Sequence, residues 1–239
     1  MTRLVEIGAA FFQLPLAGLF LTLVAYELAS AMGRWIGSPT WANPVLLAIA
    51  LVVGVLSLTG TSCQTYFETA KLIHLLLGPA IVALAIPLYN NLGNIQRSAA
   101  AIICAVTLGG ISAAVSAVVI AWALGASEPV LLSLAPKSVT TAIAMAISDQ
   151  IGGIPELTAV VVVITGILGA ILTLPLLRLA AVDCLRASGL AAGVAGHAIG
   201  TARLLAVDET AGAFAGLGMG LCGVVTAMLM PAVLVLLRT

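Results

Sequence analysis

The chain has 239 residues, of which 62% are hydrophobic and only 8% charged, with a mean hydropathy of +1.24 and a formal net charge of zero. A soluble domain carries about a quarter charged residues, so this chain lacks the polar surface to cover a water-facing globule, and its hydrophobicity excludes a disordered one. Zero net charge also argues against an extended nucleic-acid-binding surface, which leaves an all-α integral membrane protein whose first partner is the lipid bilayer.

A membrane span needs about 20 mainly apolar residues, and the polar or Gly/Pro-rich stretches between such runs set the boundaries. The first expected segment runs from Ile7 to Met32, longer than the apolar core of a signal peptide. It carries Glu27, a carboxylate open to two readings, pairing with a basic residue or facing a partner. The loop "GRWIGSPTWANP" follows, with Trp35 and Trp41 placed where an aromatic belt would hold them. Pro44–Gly60 is the second segment. The third, Lys71–Tyr89, contains His74 and the pair Gly78-Pro79. Arg97–Leu124 is the fourth and longest.

After "GASEP", the fifth segment, Val130–Gln150, carries Pro136 and Lys137. "IGGIPE" separates it from the sixth, Leu157–Leu177. The seventh, Ala187–Leu205, is the least hydrophobic and includes "GHAIGTAR", and Ala211–Leu237 is the eighth. The expectation is about eight membrane segments, with the fifth or seventh open to being re-entrant. With the N-terminus inside, Arg3, Lys71, Arg178, Arg186 and Arg238 face the cytoplasm and Arg34, Arg97 and Arg203 face outward. That excess favours both termini inside.

"GPAIVALAIPL" from Gly78 and "GHAIGTARLLA" from Gly196 share Gly, Ala, Ile, Ala and Leu in register. The match suggests a single membrane domain, 1–239, built from two repeats, 1–125 and 126–239, the plan of many transporters with a site at the repeat interface.

Lipid satisfies no backbone hydrogen bonds, so a helix broken at membrane depth must face protein or a water-filled cavity. Three breaks are expected: at Gly78 and Pro79, at Pro136, and at Gly196 and Gly200. Pro136 would open a new half-helix with Lys137, Ser138, Thr140 and Thr141 in its first turn, where free amides and the helix dipole favour an anion. A lysine at mid-bilayer costs roughly 2.5–3.5 kcal/mol, which a bound carboxylate would offset. The bland alternative is a lysine snorkelling to the interface. His197, Thr201 and Arg203 form the second polar constellation, with Thr201 one turn after His197. They would complete a site for a small organic anion, and His197 leaves a coupling proton or cation open. The competing reading has His197 bonded to a backbone carbonyl and Arg203 marking the interface.

Other patterns say less. Cys63, Cys104, Cys184 and Cys222 form no CxxC pair and have no histidine in ligand spacing, so no metal and no cofactor are expected. Gly218-x-Gly220-x-x-Gly223 mimics a dinucleotide fingerprint without the strand or the later carboxylate that the fingerprint needs. Gly212, Gly216 and Gly220 read instead as a helix-packing face. No pattern of an enzyme active site stands out.

"LAPKSVTTAIAMAISDQIGGIPELTAVVVVITGILGA", "GHAIGTARLL", "GAFAGLGMGLCG" and "LLGPAIVALAIPLYNN" together resemble the LrgB/CidB family, from about Asn43 onward. The family's usual pattern has proline after PKSVTT and glutamate before the IS pair. Here those positions hold Ala142 and Ala146, and the lost carboxylate weakens any coupling role assigned to it. The resemblance implies a multi-pass protein of the bacterial inner (cytoplasmic) membrane. It implies two functional accounts. One is an antiholin-like or holin-like regulator of murein-hydrolase export and lysis, acting with a small LrgA/CidA-type partner. The other, from plastidial relatives of the glycolate/glycerate type, is a carrier of small monocarboxylates. The residues around Lys137 favour the carrier as the leading expectation, with a homo-oligomer as its form.

Overall fold

The computed structural model describes residues 2–36 and 44–238, and among these every regular element is an α-helix. The chain gathers into two compact units, Met1–Ala85 and Ile86–Thr239.

The first unit holds α1 (Thr2–Phe11), α2 (Ala17–Trp35), α3 (Pro44–Thr59) and α4 (Cys63–Ala83), and α5 (Ala85–Asn90) begins at its edge. The run expected as one segment from Ile7 to Met32 is two helices. Pro15 has no amide to give to a helix ladder, and the chain turns between Phe12 and Leu16. The buried face of α2 is Ala17, Gly18, Ala25, Ala29 and Gly33, small residues that let α3 and α4 come close. A Cβ on Gly18 would lie 2.6 Å from the Tyr66 carbonyl oxygen, so no side chain fits there. The Gly18 amide, unpaired in the first turn of α2, donates instead to Thr69 Oγ1 at 3.0 Å. Thr22 and Tyr66 share a second hydroxyl contact of 2.7 Å. Pro44 opens α3, as suits a first helical position, and Gly60 follows its end at φ 64°. Pro79 lies inside α4, past a bend of 47° between Ile73 and Gly78. Trp35 ends α2 fully exposed; Trp41 and the side chain of His74 lie outside the described residues.

The second unit contains α6 (Leu92–Arg97), α7 (Ala99–Ala123), α8 (Glu128–Leu134), α9 (Thr141–Ile151), α10 (Pro155–Leu179), α11 (Leu185–Leu205) and α12 (Glu209–Arg238). Among the described residues three helices are long and apolar enough to cross a membrane: α7, α10 and α12. A fourth span results if the bent pair Cys63–Ile73 and Gly78–Asn90 counts as one. The stretch expected as a single fifth span is two helices of 7 and 11 residues, each shorter than a crossing.

α9 ends in a hydrogen-bonded cap that explains "IGG". Gly152 adopts φ 90°, a left-handed conformation open to glycine at little cost. Gly153 N then donates to Ser148 O at 2.8 Å, closing a Schellman motif. The next amide, Ile154 N, donates to Ser133 Oγ at 2.7 Å, and Pro155 starts α10. α11 and α12 pack backbone to backbone. A Cβ on Gly189 or Gly193 would run into the carbonyl oxygens of Ala211 and Ala215. The core of this unit joins Ile102 and Val106 of α7 to Val139, Ala144, Val162, Val194, Phe214 and Cys222.

Candidate functional site at two broken helices

Between α8 and α9 the chain makes two tight turns. Lys137 N reaches Leu134 O at 3.2 Å and Val139 N reaches Pro136 O at 3.3 Å. Helix α9 begins at Thr141, with Thr140 extended at the cap position (φ −61°, ψ 146°) and no side-chain cap bond. Pro136, Lys137, Ser138 and Thr140 therefore form the link ahead of the new helix, not its first turn, because Pro136 is held in the turn that follows α8. Thr141 alone of the group is helical. Val139 is fully buried, Ser138 is 6% exposed, and Lys137 is only partly covered. The Ser138 hydroxyl has no hydrogen-bond partner, while its carbonyl oxygen lies 3.9 Å from the thiol of Cys222.

α11 is interrupted at His197, whose φ 37° and ψ −129° belong to no helix. A positive φ is costly for a residue with a Cβ, and the surroundings hold it in place. His197 is 3% exposed. Its Nε2 lies 2.9 Å from the Val162 carbonyl oxygen of α10; a carbonyl only accepts, so Nε2 carries the hydrogen. Thr201 Oγ1 donates to the His197 carbonyl, one turn earlier in the chain, at 2.8 Å. Two glycines of α10 make room: a Cβ on Gly166 would strike the His197 ring, and one on Gly169 would lie 2.7 Å from Gly196 Cα. Gly200 lies against the Ala192 carbonyl in the same way.

The two interruptions are neighbours. Lys137 is within electrostatic reach of His197. Val139 of one break and Val162, the anchor of the other, share a core cluster, and α12 touches both through Cys222 at Ser138 and Met219 Sδ at Thr201. Arg203 stands apart, in the last turn of α11, where a cation suits the helix end; no hydrogen bond or ion pair joins it to the others. Gly78 and Pro79 belong to the first unit.

A hydroxyl network beneath the first break has no counterpart in the sequence reading. Ser133 Oγ donates to Pro129 O at 2.6 Å. Thr158 Oγ1 donates to Ser148 Oγ at 2.7 Å and lies 3.0 Å from Ser133 O. All three residues are buried. In the sequence their one signal is that small hydroxyls flank the "PK" and "IGGIP" interruptions. Among the described residues, no cluster of ligating side chains could hold a metal ion.

What the geometry defines is a multi-pass helical membrane protein whose internal polar groups mostly serve its own broken backbone. Residues 22–236 match the model of the LrgB-like family, and the chain belongs to that family. Among its relatives are the holin-like protein CidB of Staphylococcus aureus, 33% identical over 218 residues (91% of this chain and 95% of that protein), and the antiholin-like protein LrgB of Bacillus mycoides, 31% identical over 217 residues (91% and 94%). An uncharacterized protein of Haemophilus influenzae is 33% identical over 214 residues, 90% of this chain and 92% of that one. No solved structure matches. Membership makes the chain a non-catalytic, multi-pass protein of the bacterial inner membrane.

These relatives correct the leading functional expectation. They are holin-like and antiholin-like proteins matched along nearly their whole lengths, so the monocarboxylate carrier gives way to the regulator. His197 Nε2 and Thr201 Oγ1 each meet a backbone carbonyl, which for His197 is the contact that the competing reading described.

Proposed function

We propose that this chain is a holin-like regulator of the inner membrane that governs murein-hydrolase export and lysis by assembling with a small LrgA/CidA-type membrane partner and with copies of itself. The observation that carries the reading is the family match over residues 22–236, with holin-like relatives aligned over 91% of the chain. The packing is compatible with it. An assembling subunit needs a rigid interior and an apolar outer surface, and the kinks at Lys137 and His197 are braced from within.

In this reading the chain crosses the membrane about eight times as two repeats, with the broken segments at Gly78-Pro79 and Gly196-Gly200 in corresponding positions. Lys137, Ser138, Thr140, Thr141, His197 and Thr201 form the polar lining of the two braced breaks, and Arg203 marks the end of α11 apart from them. A small organic anion at Lys137 and the open Ser138 hydroxyl would act as a ligand that biases assembly.

The test is a bacterial strain lacking its own pair of such proteins, given this chain alone, the small partner alone, or both. Autolysis rate and extracellular murein-hydrolase activity should change when both are present. Unaltered lysis and hydrolase activity in all three strains would sink the proposal.

A further inference from the structure

Ser133, Ser148 and Thr158 are fully buried, and each comes from a different helix: the last turn of α8, the last turn of α9 and the first turn of α10. All three belong to the Ile86–Thr239 unit. The cap at "IGG" brings them together. Gly152 turns the chain back, Ile154 N is tied to Ser133 Oγ, and Gly153 leaves room for Ser148 Oγ, which a Cβ there would strike. The oxygens outnumber the hydrogens offered to them. Thr158 Oγ1 carries one hydrogen, yet Ser148 Oγ, Ser133 O and Ile154 O stand 2.7, 3.0 and 3.1 Å from it. Ile154 O already receives the Thr158 amide at 3.0 Å. Ser148 Oγ, at the shortest distance, takes the Thr158 hydrogen, and no other donor among the described residues reaches Ser133 O. A buried carbonyl left without a hydrogen is destabilising.

Such a set suits a species that takes up lone pairs, and hard cations prefer oxygen ligands. None of these oxygens belongs to a carboxylate, so the ion carries a single charge, because burying a divalent one among neutral groups is too costly. Separations of 2.7–3.1 Å around Thr158 Oγ1 keep the space small, which favours sodium over potassium. The surrounding charge agrees. Residues 141–158 include Asp149 and Glu156, both exposed, and no lysine or arginine, and the carboxyl end of α9 adds partial negative charge. Free carbonyls at the ends of half-helices coordinate sodium in membrane proteins. We infer that a sodium ion binds where α8, α9 and α10 meet, on Ser133 O, Ser148 Oγ, Thr158 Oγ1 and Ile154 O. The ion ties the end of α8, from which the link carrying Lys137 departs, to the two helices that follow.

Thermal unfolding of the full-length protein in detergent, at constant ionic strength in sodium, potassium or choline chloride, tests this. Sodium should raise Tm saturably by about 3–6 °C over choline, and potassium should do less. Thr158→Val keeps the shape of the side chain without its oxygen and should lose the sodium shift, whereas Thr158→Ser keeps the hydroxyl and should retain it. Radioactive sodium binding to the unsubstituted protein is the second reading, expected to saturate at a single site per chain. Equal Tm in the three salts, no saturable sodium binding, or a sodium shift that survives Thr158→Val overturns the inference. Equal Tm would leave a bridging water as the occupant. Ion binding by the purified chain and the lysis measurement fail independently, so the inference and the regulator reading are judged apart.

Discussion

His197 and Gly166 illustrate how one contact fixes a strained backbone. The imidazole holds the Val162 carbonyl at 2.9 Å and fills the space that a Cβ on Gly166 would need. His197→Ala should cost about 1–3 kcal/mol, because the bond is lost and the strained φ remains. Gly166→Ala should cost about as much through overpacking. Combined, the two should be less damaging than their sum by about 1 kcal/mol or more, since the missing ring leaves room for the added methyl. Unfolding in mixed detergent micelles measures all three variants. Additive losses would mean that the glycine and the ring do not compete for one space. The identity of His197 could be read from the chain as a polar group among Gly, Ala, Val and Leu. Its partner could not, because Val162 is 35 residues away and offers a carbonyl that every residue possesses.

At the scale of elements, the close approach of α11 and α12 sets the tolerance to substitution. Gly189 and Gly193 abut backbone carbonyls of α12 that cannot move aside as a side chain can. Gly193→Ala should therefore cost about 1–3 kcal/mol, whereas Gly220→Ala, which meets open space, should stay within about 0.5 kcal/mol. Thermal denaturation in detergent compares them, and equal effects would remove the distinction. Gly212, Gly216 and Gly220 look alike in the sequence as an evenly spaced small face. Yet a Cβ on Gly212 would crowd Leu205 while Gly220 is free, a difference set by where the neighbouring helix ends. Proline likewise announces an interruption but not the restart. Pro136 could begin a helix by its own φ, but the amides of Lys137 and Val139 close turns instead, and α9 waits until Thr141.

For the whole molecule, composition alone leads to the membrane, because 8% charge cannot coat a soluble surface. The count of crossings is less legible. Hydropathy measures how apolar a stretch is and not whether it runs straight, and the first and fifth runs are each divided into two helices. Function was the least legible: a lysine near a break has the same appearance whether it holds a passenger or braces a fold.

Sidedness is testable at Cys184, an exposed cysteine ahead of α11. The Ala187 amide hydrogen-bonds its sulfur and holds the thiol below its ordinary pKa. More thiolate is then present at a given pH, so maleimide labelling should set in at lower pH than for an unperturbed cysteine. With Arg178 and Arg186 beside it, the loop is expected on the cytoplasmic side. An impermeant maleimide should label Cys184 in inside-out vesicles and spare it in intact spheroplasts. The opposite pattern would reverse the assigned orientation.

The tight seam between α11 and α12 also bears on biosynthesis. A ribosome releases α12 after the helices that carry the kinks, yet Phe214 and Cys222 of α12 seal the cluster around both of them. Until it inserts, the glycine grooves of α11 stand open to lipid and the bent backbone has no cover on that side. The nascent chain therefore remains unfinished in its core until α12 has inserted. A stop codon that removed α12 would leave a protein stranded in the bilayer as prey for quality-control proteases.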